Sequence, residues 1–393
     1  MEYEPISLME PLMPEQGNRR LEDLAVELVA KASSLTSQLR PIVNNAVGDL
    51  VRSMNCYYSN LIEGHNTHPR DIDRALAGNY SQDSKKRCLQ LEARAHIEVQ
   101  RAIDLDSRSV NIVSTDYMTW IHREFCSKLP EELLWVENPD TSDRTIVIPG
   151  ELRSRNVRIG SHVPPNFNSV ERFLDRFVEA YNPDRLSKLR QVIAVAASHH
   201  RLLWIHPFLD GNGRVTRLFS HAYLKQIGIG TSLWSVSRGL ARRKREYKDL
   251  LMAADQPRWN DLDGRGNLTA AGLQRFCEFF LEICIDQVEF MTSLLAPSEL
   301  LNRIALYVEE EVRAGRLRKG SFPLLQEALL AGEFARGRAA FLTGYQERQA
   351  RVILNDLVKI GLLKSDSPRK PVRLGFPVNI VERWFPNLYP GWQ

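Results

Sequence analysis

A loop rich in groups that suit phosphate begins at His206 and ends at Arg217, between two apolar helical patterns. A glycine-rich loop that opens a helix presents free backbone N–H groups and the positive end of the helix dipole, which both favour an anion. Gly211 and Gly213 flank Asn212, so the backbone can approach a ligand without a Cβ in the way. The sequence therefore predicts an anion site, and phosphate is the anion we expect.

The charged side chains of this loop supply the other groups that phosphate chemistry needs. Arg214 and Arg217 are three residues apart, so both project from one side of the first helical turns and suit phosphate oxygens. Asp210 offers a hard oxygen ligand for Mg²⁺, and His206 at the loop entrance is a candidate general base. The segment is not a dinucleotide fingerprint, because Thr216 stands at its last position, and it lacks the Gly-Lys-Ser/Thr of a P-loop.

These twelve residues resemble the signature of the Fic family of AMP-transferases, His-x-Phe-x-Asp/Glu-Gly-Asn-Gly-Arg-x-x-Arg, at every specified position. The resemblance covers residues 20–295 and implies that His206 deprotonates a Ser, Thr or Tyr hydroxyl of a target protein, or of the chain itself. That hydroxyl would attack the α-phosphate of ATP, with Mg²⁺ held by Asp210. Doc-type relatives carry lysine at the second loop glycine and phosphorylate their targets, so Gly213 favours AMP transfer. The ATP contacts implied by the resemblance are Asp210, Gly211, Asn212, Gly213, Arg214 and Arg217.

A second motif ends the second N-terminal helix, where Ser59 and Glu63 precede Gly64. A carboxylate in the last helical turn faces the negative end of the dipole, so we expect Glu63 to have a cationic partner. The motif resembles the inhibitory Ser/Thr-x-x-x-Glu-Gly/Asn motif of Fic proteins, which implies that Glu63 pairs with Arg217 and holds ATP in an unproductive pose. The alternative is an ordinary exposed Glu before a glycine cap. In some family members this Glu positions a water that removes AMP, which leaves reverse deAMPylation open.

Two further positions are candidates around the motif. Short β patterns at Thr145–Ile148 and Val157–Ile159 predict a hairpin over 145–160, with Gly150 between the strands. This hairpin resembles the Fic flap, in which Val157 and Ile159 would clamp the modified side chain of the target; a passive hairpin is the alternative. Tyr247 is either an adenine contact or a core residue.

Apolar residues at helical spacing predict a protein that is mostly α. We expect a Fic helical core with a β-hairpin flap, followed by a C-terminal winged helix-turn-helix domain. The pattern pauses at 296–298, which predicts an N-terminal helical region over 1–110, a catalytic core over 111–296 and a C-terminal domain over 297–393. Beyond two N-terminal helices, from Leu21 to before Pro41 and from Val47 to Ile62, the predicted helices of the body cover 87–104, 112–127, 169–181, 187–204, 213–227, 245–254 and 269–294.

The C-terminal pattern of helix, tight turn at Thr343-Gly344, helix and two strands resembles a winged helix-turn-helix. Residues at the start of the second helix and on the wing suit base edges and phosphates. Such domains also bind proteins or form dimers, so DNA, a protein partner and a homodimer all stay open. The candidate DNA contacts are Gln346, Arg348, Gln349 and Arg351 on the helix, with Arg369 and Lys370 on the wing.

Composition limits the classes of function. With 52 Lys+Arg and 48 Asp+Glu the net charge is +4, which argues against a protein that coats nucleic acid, yet all of this excess falls within 345–375. Apolar runs are too short to span a membrane, the N-terminus lacks a secretory signal, and no C-x-x-C pair occurs. We therefore expect a cytoplasmic protein: a self-restrained AMP-transferase, or alternatively a DNA-binding regulator whose Fic body senses nucleotide.

Overall fold

The structure is a computed structural model that describes residues 3–38, 40–105, 111–137 and 143–389. This part of the chain is mostly helical, as predicted, and none of its helices is both long enough and apolar enough to cross a membrane. Its helices are α1 Arg19–Ser37, α2 Pro41–Glu63, α3 Pro69–Leu76, α4 Ser84–Leu105, α5 Thr115–Cys126, α6 Val170–Tyr181, α7 Lys188–Ile205, α8 Asn212–Gln226, α9 Val236–Arg242, α10 Lys244–Ala254, α11 Ala270–Leu295, α12 Pro297–Arg313, α13 Ser321–Ala331, α14 Ala339–Thr343, α15 Glu347–Lys359 and α16 Val378–Trp384. The strands are β1 Trp135–Glu137, β2 Arg144–Ile146, β3 Glu333–Phe334, β4 Leu363–Lys364 and β5 Val372–Leu374.

The chain divides into two compact units. Unit 1 comprises residues up to 32 together with 55–287, and unit 2 comprises 33–54 together with the residues from 288 onward. This division does not coincide with the three segments predicted from the sequence, which stay a prediction about domains.

Helices α7 and α8 form the centre of unit 1. Every residue of α7 from 191 to 202 is buried, because small residues such as Ala194 and Ala197 let the neighbouring helices approach closely. Helix α6 packs on α7, while α4 and α5 pack on α8. The loop that joins α7 to α8 is therefore anchored at both ends in the core, as a preorganised site requires.

The helices predicted for this unit are confirmed, with bounds that differ by a few residues. Periodicity succeeds for helices such as α6, which buries one stripe of apolar side chains, whereas α7 is buried on all sides. At the end of α2, Gly64 has φ 91° and terminates the helix as predicted, since a left-handed conformation costs glycine little.

The predicted hairpin over 145–160 is wrong in its pairing. Strand β2 pairs antiparallel with β1, so Thr145 lies opposite Val136, and Val157 belongs to no strand. Ile159 forms only an isolated bridge with His162. The chain after β2 is held elsewhere, because the Arg153 guanidinium donates to the carbonyl oxygens of Arg155 (3.0 Å), Pro165 (2.5 Å) and His206 (2.8 Å).

Unit 2 contains a three-stranded antiparallel sheet in the order β3, β5, β4. Helices α14 and α15 are joined by a tight turn in which Gly344 has φ 70°, and β4 and β5 follow α15. The predicted helix, turn, helix and strand pair are all present as elements. Three further elements, α13, β3 and α16, were not predicted, because they are short or lack clear periodicity.

Two phenylalanines of unit 2 differ in burial and so test which side chains form its core. Phe385 is fully buried and packs edge-on against Phe376, with ring centroids 5.1 Å apart, whereas Phe341 is 82% exposed. Replacing Phe385 by alanine is expected to lower the free energy of unfolding by about 3–5 kcal/mol, since it leaves a cavity. Phe341→Ala is the matched control and should change it by less than about 0.5 kcal/mol. Urea denaturation followed by circular dichroism measures both, and equal losses would contradict the assigned core.

Candidate active site

The α7–α8 loop is closed by its own side chains and by a reversal at His206. His206 ends α7 with φ 50°, and its backbone N–H donates to the Leu202 carbonyl at 3.1 Å. Asn212 bonds both backbone groups of Phe208: its Oδ1 accepts from the N–H at 2.9 Å, and its Nδ2 donates to the carbonyl at 2.8 Å. Gly211, with φ 80°, turns the chain into α8. The loop is thus a fixed cradle.

The His206 imidazole is neutral and held in one tautomer. Its Nδ1 lies 3.3 Å from the Leu203 carbonyl oxygen, so this nitrogen carries the proton and Nε2 keeps its lone pair. Burial lowers the pKa of His206 to about 3 and outweighs the raising effects of the Leu203 carbonyl and of Glu63; His162 and Arg153 lower it further. The imidazole is therefore unprotonated at neutral pH.

Glu63 lies directly against the first turn of α8. A Cβ added at Gly213 would collide with Glu63 Oε1, so only glycine permits this approach. The carboxylate thus occupies the N-terminal end of α8, where the helix dipole favours negative charge. The predicted anion site contains an anionic side chain of the protein itself.

Arg217 is the cationic partner of Glu63. Its Nη2 lies 2.5 Å from Glu63 Oε1, its Nε donates to Ser59 Oγ at 2.9 Å, and Nη2 also reaches the Ser59 carbonyl at 3.2 Å. Burial acts to raise the pKa of Glu63, but Arg217 and Arg214 outweigh it and leave that pKa below its usual range. Glu63 is therefore ionised at neutral pH.

Arg214 pairs with the carboxylate of Glu92, which was not predicted from the sequence. Its Nη1 donates to Glu92 Oε1, and Glu92, on α4, has no exposed side-chain surface. The other Glu92 oxygen accepts from His65 Nδ1 at 2.8 Å. Glu92 occupies the buried face of α4 with Cys88 and Ala95, and a charged residue within an apolar stripe was the available signal of a buried partner.

Asp210 is the residue that could hold a metal ion. Its carboxylate is half exposed and its Oδ2 lies 3.6 Å from Arg214 Nη2; burial and Glu63 raise its pKa, while the Gly211 N–H lowers it. In the ranges with coordinates no cluster of three His, Cys, Asp or Glu side chains forms a metal cage. One accessible carboxylate fits Mg²⁺, which usually takes few protein ligands and fills its shell with water and phosphate oxygens.

His122, which was not predicted from the sequence, packs against the α7–α8 loop. The His122 ring stacks on Phe208 with centroids 4.0 Å apart, and its Nδ1 accepts from the Gly150 N–H at 2.8 Å. Burial lowers the pKa of His122 to about 4, so it is neutral. His122 thereby connects the chain after β2 with the motif, a contact between distant segments that no local pattern indicates.

The remaining candidates are a core tyrosine beside this cluster, two residues after β2 and six residues of unit 2. Tyr247 is buried next to α7, where its hydroxyl lies 2.8 Å from His199 Nε2 and also interacts with Arg217. Val157 is half-buried and Ile159 is 40% exposed, both outside strands β1 and β2. The candidate DNA contacts belong to unit 2, where all six are exposed: Gln346, Arg348, Gln349, Arg351, Arg369 and Lys370.

The α7–α8 loop lies within the part of the chain that matches a known family. Residues 112–224 match the model of the Fic/DOC family. The Protein adenylyltransferase Fic of Drosophila erecta is 38% identical over 79 residues, and that of Drosophila yakuba is 39% identical over 79 residues. Each match covers 20% of this chain and 16% of the relative, so the chain spans about a sixth of the length of these relatives. A solved Fic family protein from Desulfovibrio desulfuricans G20 has the same fold: its TM-score is 0.54 at 16% identity, over 93% of this chain and 98% of that chain.

The protonation state of His206 can be measured directly. Because the folded-state pKa is about 3, lowering the pH from 8 to 5 should not protonate the imidazole, and the proton should stay on Nδ1. Nitrogen NMR of ¹⁵N-histidine-labelled protein reads both properties, with the His206 signals assigned by their loss in His206→Asn. The same signals in urea should titrate near the ordinary value of about 6.5. A folded-state titration near that value would contradict the assignment.

Proposed function

Because residues 112–224 match the model of the Fic/DOC family, we propose that the chain is a protein adenylyltransferase, which transfers AMP from ATP to a hydroxyl of a protein side chain. The observation that carries this proposal is the neutral His206, whose free Nε2 stands beside a loop that leads into the N-terminus of α8 and two arginines. A base, an anion cradle and cations for a leaving group are the parts this reaction needs.

In the proposed reaction His206 Nε2 takes the proton of the target hydroxyl. The hydroxyl oxygen then bonds to the α-phosphorus of ATP, the bond from that phosphorus to the bridging oxygen breaks, and pyrophosphate leaves. The N–H groups at the start of α8 would stabilise the α-phosphate oxygens, and Arg214 and Arg217 the pyrophosphate. Mg²⁺ bound to Asp210 would neutralise phosphate charge. These contacts lower the barrier because negative charge grows on the leaving group.

We also propose that Glu63 restrains this reaction. Its carboxylate occupies the N-terminus of α8 against Gly213 and pairs with Arg217. Both features oppose a bound triphosphate: the first repels phosphate oxygens, and the second withdraws a cation from the γ-phosphate. The Glu63 side chain is 30% exposed and follows the last turn of a helix, so it can move away without unfolding the core.

Replacing Glu63 by glycine is expected to raise self-labelling from α-phosphate-labelled ATP about tenfold or more, because Arg217 becomes free for the nucleotide. Gel autoradiography of the purified chain with Mg²⁺ measures the label. Glu132→Gly, at an exposed turn, is the matched control and should label like the parent. Adding His206→Ala to the Glu63 variant should remove the label by about a hundredfold or more.

The position of the label separates the alternatives. Labelling from the γ-phosphate would indicate phosphate transfer instead of AMP transfer. A Glu63 variant no more active than the parent would refute the restraint, and one that binds ATP yet transfers no label would favour a nucleotide sensor. Mass spectrometry of the labelled chain from the same assay identifies the hydroxyl that is modified.

As a second function we propose that unit 2 is a winged helix that binds DNA. The first two turns of α15 present Arg348, Gln349 and Val352 to solvent, after the turn at Gly344, and the loop between β4 and β5 presents Arg369. Arginine and glutamine suit base edges and phosphates, and an exposed apolar side chain suits the thymine methyl group. The net charge of the whole chain, +4, equals the net charge of residues 345–375, which include these side chains.

The double variant Arg348→Ala and Arg351→Ala tests this function. We expect it to weaken binding of a fluorescent DNA duplex and to lower the slope of log K against log salt by about one to two, since each lost phosphate contact contributes about 0.9. Fluorescence anisotropy at several salt concentrations measures this. Arg313→Ala, at an exposed arginine of α12, should bind like the parent. Absence of binding at low salt, or an equal loss in the control, would refute DNA binding.

A further inference from the structure

His65 is tied down twice immediately after the inhibitory glutamate. Its backbone N–H donates to the Asn60 carbonyl at 2.9 Å, which closes the chain reversal at Gly64. Its side chain bonds through Nδ1 to Glu92 Oε2 at 2.8 Å. The residues from Ser59 to His65, called here the Glu63 segment, are thus fixed to α4 at one end and to Arg217 along their length.

Glu63 and Glu92, the two carboxylates that pair with the arginines, differ in how far they can move. Glu92 has no exposed side-chain surface and shares its oxygens between Arg214 and His65, so it cannot turn to solvent. Glu63 is 30% exposed and must leave Arg217 for the proposed reaction. The fixed carboxylate therefore offers an anchor, and the His65 side chain, which is 37% exposed, is the part of the Glu63 segment that holds to it.

We propose that His65 is a positioning residue, which acts through Glu92 as a latch that keeps the Glu63 carboxylate on Arg217. This inference rests on the proposed function. The latch adds a contact that must break, or stretch, when the Glu63 segment moves. The anchor is the same carboxylate that orients Arg214, so restraint of one arginine and placement of the other share one side chain. Substitution of Glu92 would disturb both, whereas substitution of His65 leaves the bond between Glu92 and Arg214 in place.

His65→Ala should therefore raise self-labelling from α-labelled ATP about threefold to tenfold over the parent, toward the level of Glu63→Gly. His65→Asn should stay within twofold of the parent, because the Asn amide can donate to Glu92 in place of Nδ1. In the Glu63→Gly background, His65→Ala should change labelling less than twofold, since no carboxylate is left to position. His68→Ala, at an exposed histidine three residues later, is the matched control and should label like the parent.

Calorimetric titration with ATP provides a second readout that needs no transfer. The affinity of His65→Ala for ATP should exceed that of the parent, while the affinity for AMP, which lacks the β- and γ-phosphates, should change less than twofold. Thermal unfolding checks that the variants are folded.

The outcomes distinguish a failure of the His65 latch from a failure of the proposed adenylyltransferase function. If Glu63→Gly labels strongly and His65→Ala labels like the parent, the latch is refuted. If His65→Ala changes labelling equally with and without Glu63, then His65 acts in the reaction itself and the latch is again refuted. If no variant transfers AMP, the proposed function fails, and the ATP titration alone decides: equal affinity in His65→Ala and the parent would overturn the latch.

Discussion

The site depends on the burial of two arginines at the start of one helix. The side chains of Arg214 and Arg217 are 9% and 2% exposed, in the first turns of α8, where the helix dipole is itself positive. Two buried cations at this end of a helix are unfavourable unless anions compensate them. The fold supplies carboxylates from two other helices, Glu63 at the end of α2 and Glu92 within α4. The packing of α4 on α8 is thus part of the electrostatics of the site.

Under the proposed function, this constraint also explains how restraint and activity can use the same residues. A site that is stable when empty must hold anions of its own, and a phosphate ligand must then replace some of them. Glu63 can be replaced because it is partly exposed at a helix end, whereas Glu92 is enclosed and stays. Under the proposed function, Glu63 therefore inhibits the reaction because it neutralises the arginine charge that a phosphate ligand would otherwise neutralise.

The sequence predicted what is local and missed what joins distant segments. The helices, the cap at Gly64 and the loop from His206 follow from periodicity and from glycine placement within a few residues. Glu92 lies 122 residues before Arg214, so no spacing rule connects them, although a charge within the apolar stripe of α4 indicated a partner. The pairing of β2 with β1 was missed because β1 is three residues long, and because the competing strand is drawn away by Arg153.

Under the proposed function His206 is the general base, and its surroundings differ from those of the two arginines. No carboxylate hydrogen-bonds His206 among the contacts of the described residues; a backbone carbonyl, that of Leu203, orients its ring. A carboxylate there would stabilise the imidazolium and raise its pKa, whereas burial with a neutral acceptor keeps the ring unprotonated. A base must be neutral before it accepts a proton. The carboxylates of this site bond to the arginines, whereas His206, which the proposed reaction needs unprotonated, bonds to a backbone carbonyl, and burial outweighs the raising effect of Glu63 on its pKa.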